Sequence, residues 1–249
     1  VYEGEKAAIG ICRDITERME IEKRVREAEN LAHIGQITTS LAHEVRNPLS
    51  SARMSIQMLL KNKAFTGNER RRLEILAQEV ERLNRIVTEM LDFAKPVRYD
   101  FQPASVEDLL NSCLDVIETK IMEKDIVIRK SFSNKLPHVM MDPEKMEQAV
   151  INLLLNAVEA VGRQGLIRIT VSRGKGKKQM VRVEITDNGP GIGPEDMPYI
   201  FDPFFSKKSK GTGLGLANAK KIIEAHGGTI RVVSALPRGM RVSFSIPAG

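Results

Sequence analysis

The chain has 249 residues, 42% hydrophobic and 28% charged, which is enough to bury at least one substantial core and fits one or two globular domains. A disulfide mini-scaffold, a collagen-like repeat and a disordered chain are excluded by that composition. Its 38 basic and 32 acidic side chains leave a formal charge of +6, which favours anionic partners.

In chain order, residues 6–12 form a short strand-like piece followed by Arg13-Asp14-Ile15-Thr16. A lone strand is not stable, so it belongs to a larger sheet or pairs with something else. The run 7–16, ending in Asp-Ile-Thr and entering a charged helix, resembles the end of a PAS sensory domain. The resemblance implies that residues 1–16 are the C-terminal remnant of such a domain, with its sensor upstream of this chain, and 17–30 a signalling-helix linker. Ile21, Val25, Ala28 and Leu31 contain two consecutive steps of three, a stammer that predicts a two-state coupling segment.

From Leu31 the positions Leu31, Ile34, Thr38, Leu41, Val45, Pro48 and Ala52 are spaced by three and four, and Leu73, Leu76, Val80, Leu83, Val87, Met90 and Ala94 repeat the pattern. These spacings predict two helices with heptad seams. Thr66-Gly67-Asn68-Glu69 supplies the turn between them and a Thr-x-x-Glu capping box for the second. An antiparallel hairpin buries one side of each seam, and two copies complete a four-helix bundle, so residues 31–96 predict a homodimer.

After Pro96 short strands alternate with helices. Ser105 and Asp108 predict a helix to about Met122, and Asp142-Pro143 caps another running to about Val161. Residues 166–172, 181–187, 229–233 and 240–246 read as strands, and 211–225 starts glycine-rich and becomes helical. Residues 97–249 are therefore expected to form an α/β layer domain. The most apolar stretch, 149–161, is broken by Asn152, Asn156 and Glu159, so no transmembrane or signal segment is predicted. Cys12 and Cys113 lie too far apart for a metal motif, and their scarcity suits a reducing, cytoplasmic setting. No aromatic alternates with the basic clusters as a base-stacking surface requires, so the expected anion is nucleotide phosphate and not nucleic acid.

Two glycine motifs stand out, Asp187-Asn-Gly-Pro-Gly-Ile-Gly193 and Gly211-Thr-Gly-Leu-Gly-Leu216. Glycine turns bring bare amides close to an anion, and the second motif opens a helix whose positive end adds to the attraction. Gln148, Asn152, Asn156 and Glu159 form one polar stripe on the preceding helix. Asparagines inside so apolar a helix point to ligand-facing amides, whose oxygens can hold a hard cation beside phosphates. His33, His138 and His226 carry no motif that assigns them chemistry. His43 falls at the outward position of the heptad, where a nucleophile meets an incoming γ-phosphate, and Glu44 beside it can take the imidazole proton or orient the ring. Pro48 lacks the amide that would bond the Glu44 carbonyl, which predicts a bend.

Five motifs in order now carry a resemblance. Ser40-Leu-Ala-His-Glu-Val-Arg-Asn-Pro-Leu49 is similar to the H box of sensor histidine kinases, Asn152-Leu-Leu-Leu-Asn156-Ala to their N box, the two glycine motifs to their G boxes, and Ile200-Phe-Asp-Pro-Phe-Phe205 to their F box. The form of the H and F boxes most resembles the nitrogen-regulatory branch. The resemblance implies an α+β fold: a hairpin forming a dimeric four-helix bundle, then a Bergerat (GHKL) α/β-sandwich ATP-binding domain. It implies that His43 accepts the γ-phosphoryl group of ATP and passes it to an aspartate of a response-regulator receiver domain. Asp187 would accept a hydrogen bond from the adenine amino group, Asn156 would ligate Mg²⁺ with Asn152 beside it, and Gly189, Gly191 and Gly193 would shape the adenine side. Gly211, Thr212, Gly213, Leu214 and Gly215 would line the phosphates, with Lys207, Lys208 and Lys210 in a lid spanning 194–210. Lys175, Lys177 and Lys178 read as a solvated hairpin tip. Glu44-x-x-Asn47 resembles the motif by which some of these kinases dephosphorylate their partner. Two other readings stay open: an ATP-driven clamp of the gyrase and chaperone type, opposed by the amide Asn152 where those families place an acidic base, and a non-catalytic dimeric ATP-binding scaffold.

Overall fold

The computed structural model describes residues 45–248 except 63, 96, 175–178, 209–210 and 235–237. The expectations for residues 1–44, including the PAS remnant, the stammer, His43 and Glu44, lie outside the described residues, as do Lys175, Lys177, Lys178 and Lys210. The chain divides into two compact units, Val1–Pro96 and Val97–Gly249.

In the first unit, helix α1 occupies the described residues 45–61 and helix α2 spans Gly67–Ala94. They run antiparallel: Arg53 faces Glu81 at 3.8 Å midway along the described part of the hairpin, and Arg70 Nη1 donates to the Leu60 carbonyl at 3.2 Å near the turn. The expected capping box is not formed, because the Thr66 side chain makes no cap bond. Gly67 sits at φ +54°, so a left-handed residue separates Thr66 from the first helical turn and takes its hydroxyl out of line with the Glu69 amide. Helix α1 continues through Pro48; the carbonyl that Pro48 leaves unbonded belongs to Glu44, outside the described residues. Met54, Met58, Ile75, Leu76 and Leu83 are exposed, an apolar surface that one hairpin alone cannot bury.

The second unit is a sheet covered on one face by helices. The strands are β1 Gln102–Ala104, β2 Val127–Phe132, β3 Val139–Met141, β4 Leu166–Arg173, β5 Met180–Asp187, β6 Thr229–Ser234 and β7 Met240–Pro247. Five of them form one mixed sheet in the order β2-β4-β5-β7-β6, with only the β2–β4 pair parallel, and β1 pairs with β3 separately. The helices are α3 Val106–Glu123, α4 Pro143–Val161 and α5 Gly215–Ala225. Along β4 and β5, Ile167, Ile169, Val171, Val181, Val183 and Ile185 point into the core, while Arg168 and Arg182 face solvent, the period-two pattern of a sheet wetted on one side. Strands β1, β2 and β3 escape the sequence reading. Two are three residues long, and β2, on the sheet edge, places Arg129, Lys130 and Ser131 in a row where alternation would be sought.

Helix α4 is anchored at its start. Asp142 caps it by accepting from the Lys145 amide at 3.1 Å, and its other oxygen accepts from the Asp100 amide at 3.0 Å. Burial opposes ionisation, but the Asp100 and Lys145 amides and the nearby Lys145 charge outweigh it and hold the carboxyl below its ordinary pKa. The Asp142 amide donates to His226 Nε2 at 3.0 Å, and His226 Nδ1 lies 2.7 Å from the Ile222 carbonyl, which assigns the Nδ1–H tautomer. His226 is buried, with Tyr99 and Phe101 against its ring, so it ties the end of α5 to the start of α4 as a satisfied core histidine.

The two caps predict different sensitivities. Ser105 Oγ accepts from the Asp108 amide at 3.2 Å, so Ser105→Ala should cost about 1 kcal/mol of unfolding free energy. Thr66→Ala should stay within about 0.5 kcal/mol of wild type, as an exposed substitution that removes no cap bond. Urea denaturation of both variants checks this.

Candidate active site

The polar stripe and the two glycine motifs converge on the C-terminal half of α4. The helix splits cleanly: Met146, Ala149, Val150, Leu153, Leu154, Ala157 and Val158 are buried, while Asn152 and Asn156 are half-buried on the opposite face and Glu159 is exposed. Both loops close on that face. A Cβ at Gly215 would lie 3.8 Å from Asn152 Cγ and from Asn156 Nδ2, and one at Gly189 would meet the Ala160 carbonyl oxygen at 2.9 Å. The start of α5 therefore lies beside the two asparagines, and the first glycine turn sits on the end of α4, where no side chain fits.

Asp187 ends β5 and is buried. Its Oδ1 accepts from the Gly189 amide at 2.9 Å and the Met240 amide at 3.2 Å, leaving Oδ2 without a protein partner among the described hydrogen bonds. Burial raises its pKa above the ordinary 3.8, against the opposing pull of the Gly189 and Met240 amides and the charge of Lys208. Met240 opens β7, directly after the β6–β7 turn, which no motif marked. Gly239 in that turn has φ +104°, and a Cβ there would overlap the Asp187 carbonyl oxygen at 1.9 Å, so only glycine lets the turn reach the carboxylate. Gly191, at φ +79°, packs on the Gly239 carbonyl oxygen, 3.0 Å from where its own Cβ would be. Nothing in the sequence around this third glycine, Arg238-Gly239-Met240, singles it out.

The second glycine motif is held from the other side. The Phe204 amide donates to the Gly213 carbonyl at 3.1 Å, and a Cβ at Gly213 would meet the Phe204 backbone at 2.4 Å. Thr212 Oγ1 accepts from the Leu214 amide at 3.3 Å, and the Gly211 amide donates to the Lys208 carbonyl at 3.1 Å. The segment 194–208 is a series of turns around a short 3₁₀ helix, Met197–Tyr199, with the Gly193 carbonyl accepting from Asp196 and Met197. Lys208 Nζ donates to Glu159 Oε2 at 2.7 Å and to Asn156 Oδ1 at 3.4 Å. Asn47 is exposed on α1.

The geometry thus brings Asn152, Asn156, Asp187, Lys208 and both glycine turns into one candidate site with backbone amides, an amide-oxygen pair and a buried carboxylate. Among the described residues no cluster of three or more His, Cys, Asp or Glu side chains could hold a metal by itself. The hard oxygen of Asn156 already accepts from a cation, so the residues fit a hard ion shared with a phosphate group.

Comparison with known proteins identifies the family. Residues 141–249 match the model of the histidine kinase-, DNA gyrase B- and HSP90-like ATPases, and residues 33–97 match the His Kinase A (phospho-acceptor) domain. The sensor histidine kinase ZraS of Escherichia coli O157:H7 is 35% identical over 237 residues, covering 94% of this chain and 51% of its own length. The crystal structure of histidine kinase ThkA in complex with response regulator protein TrrA is similar at 32% identity and TM-score 0.67, over 95% of this chain and 68% of that one. Full-length ShkA in complex with AMPPNP matches at 28% identity and TM-score 0.72, over 86% of this chain and 46% of that one. The chain belongs to the sensor histidine kinase family. It spans about half the length of the curated relatives it matches, and no helix among the described residues is long and apolar enough to cross a membrane.

The raised pKa of Asp187 makes a stability prediction. An acid with a folded-state pKa above its unfolded value destabilises the fold progressively as pH rises from the unfolded value to the folded one, and by a constant amount above it. In Asp187→Asn the amide oxygen can keep both backbone bonds while the buried charge is lost. Its stability relative to wild type, measured by urea denaturation, should therefore improve as pH rises above the ordinary 3.8 and level off above the folded-state pKa.

Proposed function

We propose that this chain is the kinase core of a two-component system: ATP bound at this site phosphorylates His43, and the phosphoryl group then passes to an aspartate of a response regulator. The observation that carries the reading is the convergence of both glycine turns on the Asn152–Asn156 face of α4, with the buried Asp187 acceptor beside it. In the first step a bond forms between an imidazole nitrogen of His43 and the γ-phosphorus as the bond to the ADP oxygen breaks. Glu44 orients the ring or takes its proton. Adenine is read by the free oxygen of Asp187: adenine offers an amino donor where guanine has a carbonyl. Gly189, Gly191 and Gly193 let the backbone approach the base, and Gly211 to Gly215, at the N-terminal end of α5, bring amides toward the phosphates. Asn156, with Asn152 beside it, would hold Mg²⁺, which when bound neutralises phosphate charge. Lys208 and Lys210 contact the phosphates from the lid.

The division that follows is a dimerisation and phosphotransfer domain at 31–96 and a catalytic domain at 97–249, supported by the boundary between the two compact units after Pro96. A second copy of the chain covers the exposed apolar residues of the hairpin and completes the four-helix bundle. The ThkA complex with TrrA supports a receiver domain as partner, and the AMPPNP complex of ShkA supports ATP. Residues 17–30 transmit the signal from a sensor, and the kinase core works in the cytoplasm, where ATP and the regulator are found. The amide at Asn152 supports transfer over clamp-type hydrolysis, since it cannot serve as a base.

Four variants test this reading, the first three with γ-labelled ATP. His43→Gln should abolish acid-labile, alkali-stable labelling while nucleotide binding persists. Asp187→Asn and Asn156→Asp should each lower autophosphorylation by at least tenfold, the first by weakening nucleotide binding through loss of a charge-assisted acceptor worth about 1.5–3 kcal/mol. Wild-type labelling and binding in both would remove the Bergerat assignment. Asn47→Ala should leave His43 labelling nearly intact and slow decay of the phosphorylated regulator measured with ADP present. An unchanged decay would remove the phosphatase activity alone.

A further inference from the structure

The two described lysines near the lid's C-terminal end are held differently. Lys207 Nζ lies 2.5 Å from Asp196 Oδ2 and 4.0 Å from Glu195 Oε1, both carboxylates of the same segment, so it staples the lid to itself. Lys208 instead reaches out of the lid to α4, where Glu159 Oε2 and Asn156 Oδ1 receive its ammonium group. Its backbone is fixed for that reach: its amide donates to Ser206 Oγ at 3.1 Å, and its carbonyl accepts from Gly211 at 3.1 Å and Ser206 Oγ at 3.4 Å. Glu159 stands three residues after Asn156, on the neighbouring helical position, so one cation can touch both.

We propose that Glu159 is a lid-positioning residue that parks the Lys208 ammonium at Asn156 Oδ1 in the nucleotide-free protein, so that entry of a magnesium nucleotide exchanges one cation for another at that oxygen. The inference rests on the nucleotide-site reading above and adds to it a residue and an order of events. On exchange, Lys208 leaves Glu159 for a phosphate oxygen, a stronger anion, and the lid moves with it. The strength of the contact suits the role. The side chains of Lys208 and Glu159 are 44% and 52% exposed, and an ion pair so open to water is worth little enough to be given up.

The test is calorimetric titration of the whole chain with MgADP, for wild type, Glu159→Gln, Lys208→Gln and the double variant. At about 50 mM salt Glu159→Gln should bind MgADP about two- to fivefold more tightly, the range of an exposed ion pair, and the gain should fade near 0.5 M salt. In the Lys208→Gln background the same substitution should give no gain. Hydrogen exchange of the nucleotide-free protein should show faster exchange across residues 204–208 in Glu159→Gln. A Glu159→Gln affinity at or below that of wild type, or a gain that survives loss of Lys208, overturns the proposal, the second because simple repulsion of phosphate would then suffice. If wild type itself binds no MgADP at millimolar concentration, the nucleotide-site reading falls and takes this inference with it; binding by wild type with no effect of Glu159→Gln removes the inference alone.

Discussion

The C-terminal unit depends on one helix having two incompatible faces. Helix α4 buries an apolar stripe so completely that Met146, Ala149, Val150 and Leu154 are inaccessible to solvent, and each large side chain there stabilises the fold by about 1.5–3 kcal/mol. Because that stripe cannot rotate without exposing it, Asn152, Asn156 and Glu159 are fixed on the other side. The Asp142 cap and the bond from the Asp142 amide to His226 set where the helix starts. Two glycine loops then approach from different parts of the chain, one onto Ala160 and one beside the asparagines. The polar face is turned toward the glycine loops because packing and capping have already spent the helix's other degrees of freedom.

Asp187 follows the same logic from the sheet. A buried carboxylate is costly unless its lone pairs are satisfied, and here the satisfaction is deliberate and partial. One oxygen takes two backbone amides, from Gly189 and Met240, which fixes the orientation of the group and leaves the other oxygen as the free acceptor. The donor from Met240 is possible only because Gly239 tolerates φ +104° against the Asp187 backbone. The orientation of this carboxylate thus depends on a side chain from one motif and a turn some fifty residues further on.

Much of this was legible in the sequence because the signals were local. The Ser105 and Asp142 caps, the ends of α4 and α5 and the four long strands follow from short-range patterns, and the structure has them within a residue or two. The failures are also local in origin. Thr66-x-x-Glu69 has the composition of a capping box, but Gly67 between them adopts a left-handed conformation that composition does not reveal. Strand β2 is an edge strand, so nothing forces its residues to alternate. Gly239 and the Lys208–Glu159 pair were invisible because their meaning lies in a partner far along the chain: Gly239 is ordinary until Asp187 is placed against it, and Glu159 is an exposed polar residue until a lysine 49 positions later reaches it.

The site is consequently rigid at one end and exchangeable at the other. At Asp187 the contacts are buried, neutral-amide-to-carboxylate bonds backed by a backbone approach with no room for adjustment. At Lys208 they are exposed ion pairs that water and salt weaken. In the proposed kinase the base therefore meets a preformed surface, with little ordering cost, while the phosphates meet a surface that must first release its own cation. Binding that begins at the rigid end places the phosphates beside Asn156 before the lid lets go, and the free energy of that first contact can then be used to drive the exchange. A lid held by strong buried contacts would resist the nucleotide, and one with no contacts would carry a larger ordering cost on closing. A weak, charge-matched contact at the oxygen that the incoming metal needs avoids both.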